Sequence, residues 1–526
     1  MIHSIFNEVL GPITTGPSSS HTAGCGRIGL TARSLFGRPV KRAEIVFEEK
    51  GSYPSTYVGQ GSDYGFTGGL LGIPIDDPQF RNALQIAKEQ GVEIVFKSAD
   101  LGYEHPNQAE IRLYADEAQL RLMTFSTGGG MIEIRSMDGV GVMIDGSTTQ
   151  VFILCAEELK EEIEDMLQKH RFLYDRMDHK GELFYDIAVN AEQDSAPLEA
   201  LRGLEGVRYV RVSRPVMAVP RRRMALMPFT NAAGALEYAK EHGLDAAQLA
   251  VCYESAYGYV NEEQVMQLAA RIEEVMRASS VPPDPAQAEM HGFLPYQGQK
   301  MREALDQMRA SGSPLIGGEV FEEAVLASVA VMENSNAHNV VAAAPTAGAS
   351  GVLPGAIVAA GSKMGYSSEK IREGILVAGL VGAFIANQAT FGAEVAGCQA
   401  ENGSASAMAA AGLAHMMGCG PEAVFRAASM ALQNTLGLVC DPIAGLTEVP
   451  CITRNAAAMA GAIASADLAR LGFDSMIPLD EAILAMKDVG EQLPAELRCT
   501  CKVGLCATKT GQRLQTWMNG MREDRS

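Results

Sequence analysis

Residues 397–455 constrain the fold of this chain more than any other stretch, because they combine three cysteine-bearing turns with helical sequence. Cys398, Cys440 and Cys451 are each flanked by Gly, Pro or Asp, and alanine-rich segments separate them. Three thiols on loops at the ends of apolar helices can hold a metal centre with one coordination position open. Their spacing fits neither a zinc pattern nor a ferredoxin pattern, so the residues alone leave buried structural thiols as the alternative.

The sequence from about residue 228 to residue 526 predicts an all-α domain around these turns. Asn231 and Asn261 are suited to cap the starts of helices over residues 232–242 and 262–278. Many of the later helical segments use Ala, Gly and Ser in place of Leu, which allows helix backbones to approach closely. We therefore expect the polar, glycine-rich loops between the helices to converge at one end of the domain.

One of these loops, residues 336–351, is rich in alanine, glycine and small polar side chains. Thr346 and Ser350 lie in its second half. Such a loop offers backbone amides and hydroxyls to the carboxylate of a ligand or to the sulfide of a cluster. Thr346 and Ser350 are therefore candidate ligand-binding residues.

Composition decides which partners are excluded. With 526 residues, 47% of them hydrophobic, the chain is too long for one core, and its formal charge of −20 disfavours nucleic acid and anionic membranes. The uncharged run 374–393 contains Asn387, Gln388 and Thr390, which favours a buried helix over a membrane span. No secretory pattern is present at the start, so we expect a cytoplasmic protein whose ten cysteines serve metal, redox or core roles.

The first segment, residues 1–148, alternates strand-like and helical runs and predicts an α+β domain. Inside it, Ser18, Ser19, Ser20, His21 and Thr22 stand at the start of a helix. Hydroxyls and free backbone N–H groups at a helix start form a site for a carboxylate or a phosphate. An ordinary helix cap is the alternative, although a cap does not require three serines and a histidine.

Two further polar turns in this segment could close around the same ligand. One contains Gln60 and Asp63, and the other contains His105 and Asn107. Taken separately, each turn is typical of a surface loop.

Residues 150–213 have the pattern of a compact β-α-β-β-α-β unit, which predicts a ferredoxin-like domain. It shows no catalytic constellation, so we expect a regulatory or interaction domain, or one that only packs its neighbours together. Two prolines in residues 214–227 mark a linker to the helical domain.

Four segments together resemble the iron–sulfur-dependent L-serine dehydratases. They are residues 16–22, 344–355, 397–401 and 437–455. The likeness extends over nearly the whole chain and implies a β-type domain, an ACT-like middle domain and an α domain, fused in that order. It also implies a homodimer and a small amino acid as the substrate.

The resemblance implies a [4Fe–4S] cluster held by Cys398, Cys440 and Cys451, with an open iron that binds the substrate. Such an iron acts as a Lewis acid on the substrate hydroxyl. A protein base then removes the Cα proton, water leaves, and the aminoacrylate hydrolyses to pyruvate and ammonia. The residues that the resemblance implies to position the substrate are Ser18, Ser19, Ser20 and His21. The helix start, the polar turns and the glycine-rich loop add Thr22, Asp63, Asn107, Thr346 and Ser350 as candidates.

The chain departs from the family pattern at several places, which include Gln60 and Cys499/Cys501. Gln60 stands where relatives have a histidine, and an amide cannot accept a proton at neutral pH. Either His21 or His105 serves as the base, or the substrate differs. Near the end, Cys499, Cys501 and Cys506 are additional thiols that are redox-sensitive, in contact with the cluster, or incidental.

Three hypotheses for function follow. The first is an L-serine ammonia-lyase, and the second is a related iron–sulfur lyase for another β-substituted amino or hydroxy acid, which Gln60 favours. The third is a non-catalytic amino-acid sensor, for which three intact cysteine loops have little use.

Overall fold

A computed structural model of the chain describes residues 2–190, 193–222, 226–285, 292–313 and 315–523. The chain divides into two compact units, one formed by Met1–Ser19 with Ala225–Ser526 and the other by Ser20–Met224. The first nineteen residues, which we assigned to the N-terminal domain, thus cluster with the helical second half. Part of the predicted linker, residues 223–225, lies outside the described residues.

Twelve strands are present among the described residues. They are β1 Ile13–Thr15, β2 Arg42–Glu48, β3 Glu93–Ala99, β4 Gln108–Ala115, β5 Ala118–Gly128, β6 Met131–Met137, β7 Val140–Ile144, β8 Thr149–Cys155, β9 Leu173–His179, β10 Glu182–Val189, β11 Val207–Ser213 and β12 Val340–Ala342.

The α-helices divide between the two units. In Ser20–Met224 they are α1 Cys25–Phe36, α2 Tyr53–Thr56, α3 Ser62–Leu71, α4 Ala83–Glu89, α5 Lys160–Lys169 and α6 Ala196–Ala200. The later helices are α7 Ala232–His242, α8 Ala246–Tyr257, α9 Glu262–Ser279, α10 Gly298–Ala310, α11 Gly318–Asn336, α12 Ala360–Lys363, α13 Ser368–Gln388, α14 Ala393–Ala396, α15 Ser404–Met416, α16 Pro421–Gln433, α17 Cys451–Arg470, α18 Leu479–Gln492 and α19 Lys509–Glu523. Short π-helical turns occur at Ile5–Val9, Ser19–Gly24, Pro354–Ala359 and Gln399–Gly403.

The unit Ser20–Met224 contains a six-stranded sheet in the order β3-β2-β4-β5-β6-β7. Only β2 and β3 are parallel, and every other neighbouring pair is antiparallel. Helices α1 and α3 cross in close contact, because Gly29 and Gly69 meet where an added Cβ on either would lie under 3 Å from the other's backbone. Their apolar faces share one core with the sheet, as the α+β prediction requires.

A second sheet in this unit has the order β11-β8-β10-β9 and is antiparallel throughout. With α5 and α6 it forms a β-α-β-β-α-β succession around its own apolar core, as the pattern predicts. Strand β9 was not recognised in the sequence, because it is an edge strand whose side chains are mostly exposed and polar.

The other unit is mainly helical, as predicted. Asn231 and Asn261 cap α7 and α9 with side-chain hydrogen bonds. The central helix α13 is buried from residue 374 to residue 385, which agrees with the prediction for the uncharged run. In the described ranges, no helix is both long and apolar enough to cross a membrane.

Several features of this unit were not predicted. They include the helices α8 and α19 and a small antiparallel sheet in which β1 pairs with β12. The expectation of an all-α domain is therefore incomplete, because the N-terminal segment adds a strand to the loop that precedes Thr346.

The N-terminal segment is anchored by a buried carboxylate. Glu254 is fully buried and accepts hydrogen bonds from the Ser4 hydroxyl and from the Ile5 backbone N–H, the latter at 2.7 Å. The bonds fix the start of the π-helical turn Ile5–Val9. Burial raises the pKa of Glu254 to about 7.

We expect Glu254→Ala to destabilise the chain by about 2–4 kcal/mol, because two buried donors lose their acceptor. Urea unfolding should show this loss, and limited proteolysis should cut earlier within the first ten residues. Glu241→Ala, at an exposed site on α7, is the matched control. Equal stability of the two variants would show that the anchor is unimportant.

Candidate metal centre and substrate loop

Local structure places the three cysteines at chain turns and at a helix start. Cys398 follows Gly397, where glycine is required because φ is 75° and because Leu438 O would lie 2.7 Å from a Cβ atom. The backbone of Cys440 forms an isolated parallel β-bridge with that of Arg498. Cys451 is the first residue of the twenty-residue helix α17. The free N–H groups at that helix start favour a thiolate.

The thiols converge inside the helical unit. The sulfurs of Cys398 and Cys440 and a carboxylate oxygen of Glu401 lie within 4.8 Å of one another. The Cys451 thiol interacts electrostatically with Cys398 and Glu401. All three cysteines are buried, with exposed fractions of 1%, 3% and 7% along the chain. Three buried thiols and a half-buried carboxylate are a donor set suited to a metal centre.

Arg454 is the cation of this centre. Its Nη1 donates to Cys398 Sγ at 3.5 Å and to Val439 O at 3.0 Å, and its Nη2 donates to Asp441 Oδ1 at 2.8 Å. The guanidinium therefore fixes the turns that carry Cys398 and Cys440 relative to α17. It also offsets part of the negative charge that thiolates bring into a buried site.

The ionisation of the three thiols differs. A hydrogen bond from Cys440 and the charge of Arg454 lower the pKa of Cys398. The bond to Cys398 and a further bond to Cys499 raise the pKa of Cys440, and burial raises that of Cys451. Metal binding must therefore release protons from Cys440 and Cys451, because a metal ligand is the thiolate.

Glu401 connects the metal centre to the loop of residues 336–351. Its Oε1 accepts a hydrogen bond from the Thr346 hydroxyl at 3.0 Å, and burial raises its pKa well above the usual range. One residue on, Ala347 N donates to Ser19 Oγ at 3.0 Å. The candidate binding residues Ser19 and Thr346 thus lie near the thiols, and Ser18 precedes them as a half-buried residue.

Ser350, another candidate, is fully buried, and its hydroxyl donates to Met332 Sδ at 3.6 Å. Asn455 of α17 holds this part of the loop by accepting from Gly351 N at 2.9 Å and donating to Gly348 O at 2.8 Å. Sequence reasoning did not single out Glu401, Arg454 or Asn455. All three lie inside the recognised segments, and a charged residue within a run of small apolar residues was the available signal.

The additional thiols near the chain end lie beside the metal centre. Cys499 N donates to Cys440 O at 2.8 Å, and its thiol is hydrogen-bonded to that of Cys440. The thiols of Cys501 and Cys506 both donate to Pro442 O, at 3.1 and 3.2 Å. Cys499 is exposed and Cys506 is buried. Of the roles left open for these residues, contact with the cysteine turns is the one that the geometry favours.

The unit Ser20–Met224 holds the other candidate residues in a separate network centred on His21. His21 Nδ1 lies 3.0 Å from Ser20 Oγ, and His21 Nε2 lies 3.2 Å from Ser52 Oγ. The Ser52 hydroxyl donates in turn to Asn107 Oδ1. Because the Ser52 hydroxyl gives its proton to Asn107, Ser52 Oγ accepts the hydrogen bond from His21 Nε2–H. His21 Nδ1 then carries no proton and accepts a hydrogen bond from the Ser20 hydroxyl. Burial lowers the pKa of His21 to about 4, which keeps the imidazole neutral at pH 7.

The turn that contains Gln60 is part of the same network. The Thr22 hydroxyl donates to Gln60 O at 2.8 Å. Asp63 lies in the first turn of α3, where its Oδ1 accepts from Tyr64 N at 2.8 Å. Burial raises the pKa of the Asp63 carboxyl to about 7. The predicted turn thus becomes a helix at Ser62, one residue before Asp63.

His105 is less suited to accept a proton than the sequence suggested. Its Nδ1 accepts a hydrogen bond from Asn107 N at 3.0 Å, which leaves the proton of the neutral ring on Nε2. Burial, helped by Arg135, lowers its pKa. The role that its contacts show is to hold Asn107 in place.

Comparison with known proteins agrees with this architecture. The family model of the serine dehydratase alpha chain matches residues 158–506. The L-serine dehydratase alpha chain of Peptoniphilus asaccharolyticus is 36% identical over 280 residues, which cover 53% of this chain and 94% of that protein. L-serine dehydratase 2 of Escherichia coli is 29% identical over 509 residues, which cover 94% of this chain and 96% of that protein.

A beta chain is also similar to this chain. The probable L-serine dehydratase beta chain of Bacillus subtilis is 40% identical over 151 residues, 29% of this chain and 67% of that protein. The fold and the matched relatives define a hydro-lyase built from an α+β part and a helical part. The chain belongs to the serine dehydratase family.

We expect anaerobic reconstitution with ferrous iron and sulfide to give bound iron and a broad visible absorbance, and Cys451→Ser to lose most of both. The reason is that one of three thiolate ligands is removed. Cys419→Ser, in the turn after α15, is the matched control and should retain them. Full iron binding by Cys451→Ser would contradict the assignment of Cys451 as a ligand.

Acid should weaken the His21 network. The histidine of the unfolded chain takes up a proton near pH 6.5, whereas folded His21 does so only near pH 4. Its contribution to stability is therefore complete above pH 6.5 and lost as the pH falls towards 4. Between pH 7 and pH 5 the free energy of unfolding should therefore fall by about 2 kcal/mol through His21.

Urea unfolding at pH 7 and pH 5, with His21→Gln beside the unaltered chain, measures this contribution. From pH 7 to pH 5, the free energy of unfolding of the variant should fall by about 2 kcal/mol less than that of the unaltered chain. An identical pH dependence would show that His21 is not held neutral by the fold.

Proposed function

We propose that this chain is an L-serine ammonia-lyase, which removes water from L-serine and releases pyruvate and ammonia. The position of the buried Cys398 and Cys440 thiols beside Glu401, with Arg454 bonded to Cys398, is the observation that carries the proposal. Alpha-chain and beta-chain relatives of this chain are both named as L-serine dehydratases. A pure binding protein would not need such a centre.

The cofactor that we propose is a [4Fe–4S] cluster held by Cys398, Cys440 and Cys451. The donor chemistry fits, because buried thiolates are the usual ligands of such clusters and three of them leave one iron without a protein thiolate. When bound, the cluster supplies a Lewis acid for the carboxylate and hydroxyl of the substrate. Arg454, with its bond to Cys398, balances the charge of the ligand set.

The chain's own residues orient the substrate. Thr346 lies beside Glu401 at the metal centre, and Ser19 is fixed to Ala347 by its hydroxyl. Because Ser19 is followed directly by Ser20 and His21, its bond also fixes the start of the π-helical turn that carries them. We propose that the hydroxyls and amides of this turn bind the polar groups of L-serine.

The proton acceptor that we propose is the Ser20–His21 pair. Gln60 cannot accept the Cα proton, and Nδ1 of His105 is already an acceptor for Asn107 N. Ser20 Oγ takes the Cα proton while its own proton moves to His21 Nδ1. Ser52 and Asn107 hold the imidazole in the tautomer that this transfer needs.

The sheet β11-β8-β10-β9 suggests a role outside the chemistry. We propose that residues 150–213 form an ACT-like regulatory domain, since the strand order is that of a ferredoxin-like unit. Its edge strands β9 and β11 offer backbone groups for pairing with a second copy in a homodimer. Cytoplasmic localisation remains part of the proposal.

An anaerobic assay of the reconstituted chain tests the activity. We expect pyruvate from L-serine, and little or none from L-threonine or L-cysteine. Cys398→Ser should reduce the rate at least about a hundredfold, because metal ligands carry large rate effects. Cys419→Ser serves again as the control and should keep full activity.

Gln60 favours a second candidate, elimination from a different β-substituted amino or hydroxy acid. Turnover of another such acid with no pyruvate from L-serine would establish this second candidate in place of the first. Binding of L-serine with no turnover of any tested acid would instead indicate an amino-acid sensor.

A further inference from the structure

The unit Ser20–Met224 contains a cavity of about 630 Å³ with a strongly basic lining, although the whole chain is acidic with a formal charge of −20. The cavity lies where the end of α1, the turn after α3, helix α6 and the end of β11 meet. Its charged lining residues are Arg33, Arg38, Arg202, Arg214 and Glu199. None of them belongs to the metal centre or to the His21 network.

The charges in the cavity do not balance. Glu199 is the only carboxylate among its described lining residues, and it forms ion pairs with two of the arginines. Its Oε1 lies 3.1 Å from Arg214 Nη2, and its Oε2 lies 3.6 Å from Arg202 Nη1. Four guanidinium groups around one carboxylate leave an excess of positive charge that favours an anionic ligand.

Two of the arginines are held in place by the backbone. Arg33 Nη1 donates to Leu70 O at 2.9 Å, and Arg202 Nε donates to Val210 O at 3.2 Å. A guanidinium has five N–H donors, so one such bond orients the group and leaves donors for a ligand. Orientation before binding reduces the entropic cost of capture.

The helix dipole alone does not explain this lining. Arg33 lies in the last turn of α1, where a cation is favourable on any helix. Arg202 and Arg214, however, come from the turn that follows α6 and from the end of β11, far from α1 in sequence. Separate parts of the chain therefore bring their arginines to one cavity.

Helix α1 links this cavity to the His21 network. At the cavity end, the Ser34 hydroxyl donates to Val212 O at 2.8 Å and Ser34 Oγ accepts from Arg214 N at 3.2 Å. At the other end, α1 begins directly after the turn Ser19–Gly24. Twelve helical residues span about 18 Å. One continuous helix therefore connects Ser34 with the turn that carries His21.

We propose that this cavity is a regulatory site for a small polyanion that carries two or more carboxylate or phosphate groups. Guanidinium groups match both groups with paired hydrogen bonds, and the volume is that of a small-molecule site. Occupancy tightens the contact of α1 with β11 and is transmitted to the turn Ser19–Gly24. The inference goes beyond the proposed activity and does not depend on it.

Isothermal titration of the reconstituted chain at constant ionic strength tests binding. Succinate probes a dicarboxylate, phosphoglycolate probes a phosphate with a carboxylate, and acetate is the single-charge control. We expect at least one of the two dianions to bind and acetate not to bind. The double variant Arg38→Gln/Arg214→Gln, at two exposed positions, should bind about tenfold or more weakly.

Arg208→Gln is the matched control, because Arg208 is an exposed arginine of β11 that pairs with Glu182 outside the cavity. It should bind as the unaltered chain does. Equal weakening by Arg208→Gln, or no binding of either dianion, would overturn the proposal.

Hydrogen exchange of the backbone amides tests the regulatory part. A saturating dianion should slow exchange in residues 19–24 as well as in residues 33–38. Binding that leaves residues 19–24 unchanged would overturn the regulatory role. Because neither measurement uses turnover of L-serine, failure here is distinct from failure of the proposed activity.

Discussion

The rest of the helical unit depends on the cost of burying three thiols near a half-buried carboxylate. Cys398, Cys440 and Cys451 are buried beside Glu401, and Arg454 is the cation that contacts them. Charges of one sign are unfavourable in a buried site unless a cation compensates them. The metal centre that we propose would provide the remaining compensation, and the raised pKa values of Cys440 and Cys451 are then compatible with a ligand role.

The surrounding fold serves to bring these groups together. The cysteines come from three separate turns, and α17 joins two of them through Cys451 and Arg454. The loop after β12 reaches the same place through Thr346, and Asn455 of α17 holds it there. Two π-helical turns, Gln399–Gly403 and Ser19–Gly24, lie at the metal centre and at the proposed substrate loop. Such turns are frequent at functional sites, because they re-aim side chains within a helix.

Much of this arrangement could be predicted from the sequence. The caps Asn231 and Asn261 and the buried run in α13 have strong local signals, and the structure agrees with them. Strand β9 escaped prediction because its side chains are polar and exposed, and α3 because its glycines resemble a turn. The local sequence pattern therefore does not reveal strand β9 or helix α3.

In the site, too, some features could be predicted from the sequence and others depend on the fold. Long motifs identified the three cysteines, but no spacing rule could place Glu401 beside Cys398 and Cys440 or put Arg454 on Cys398. The tautomers of His21 and His105 depend on partners that lie elsewhere in the fold, Ser52 for the first and a backbone N–H for the second. Such contacts are the part of the site that only a structure supplies.

Mössbauer spectroscopy of the iron-57-reconstituted chain, with and without L-serine, tests the central claim most directly. We expect a cubane iron–sulfur spectrum in which L-serine changes a single iron site, because the proposed ligands Cys398, Cys440 and Cys451 would hold three of the four irons. A spectrum that L-serine leaves unchanged, or a chain that binds no iron–sulfur cluster, would contradict this expectation.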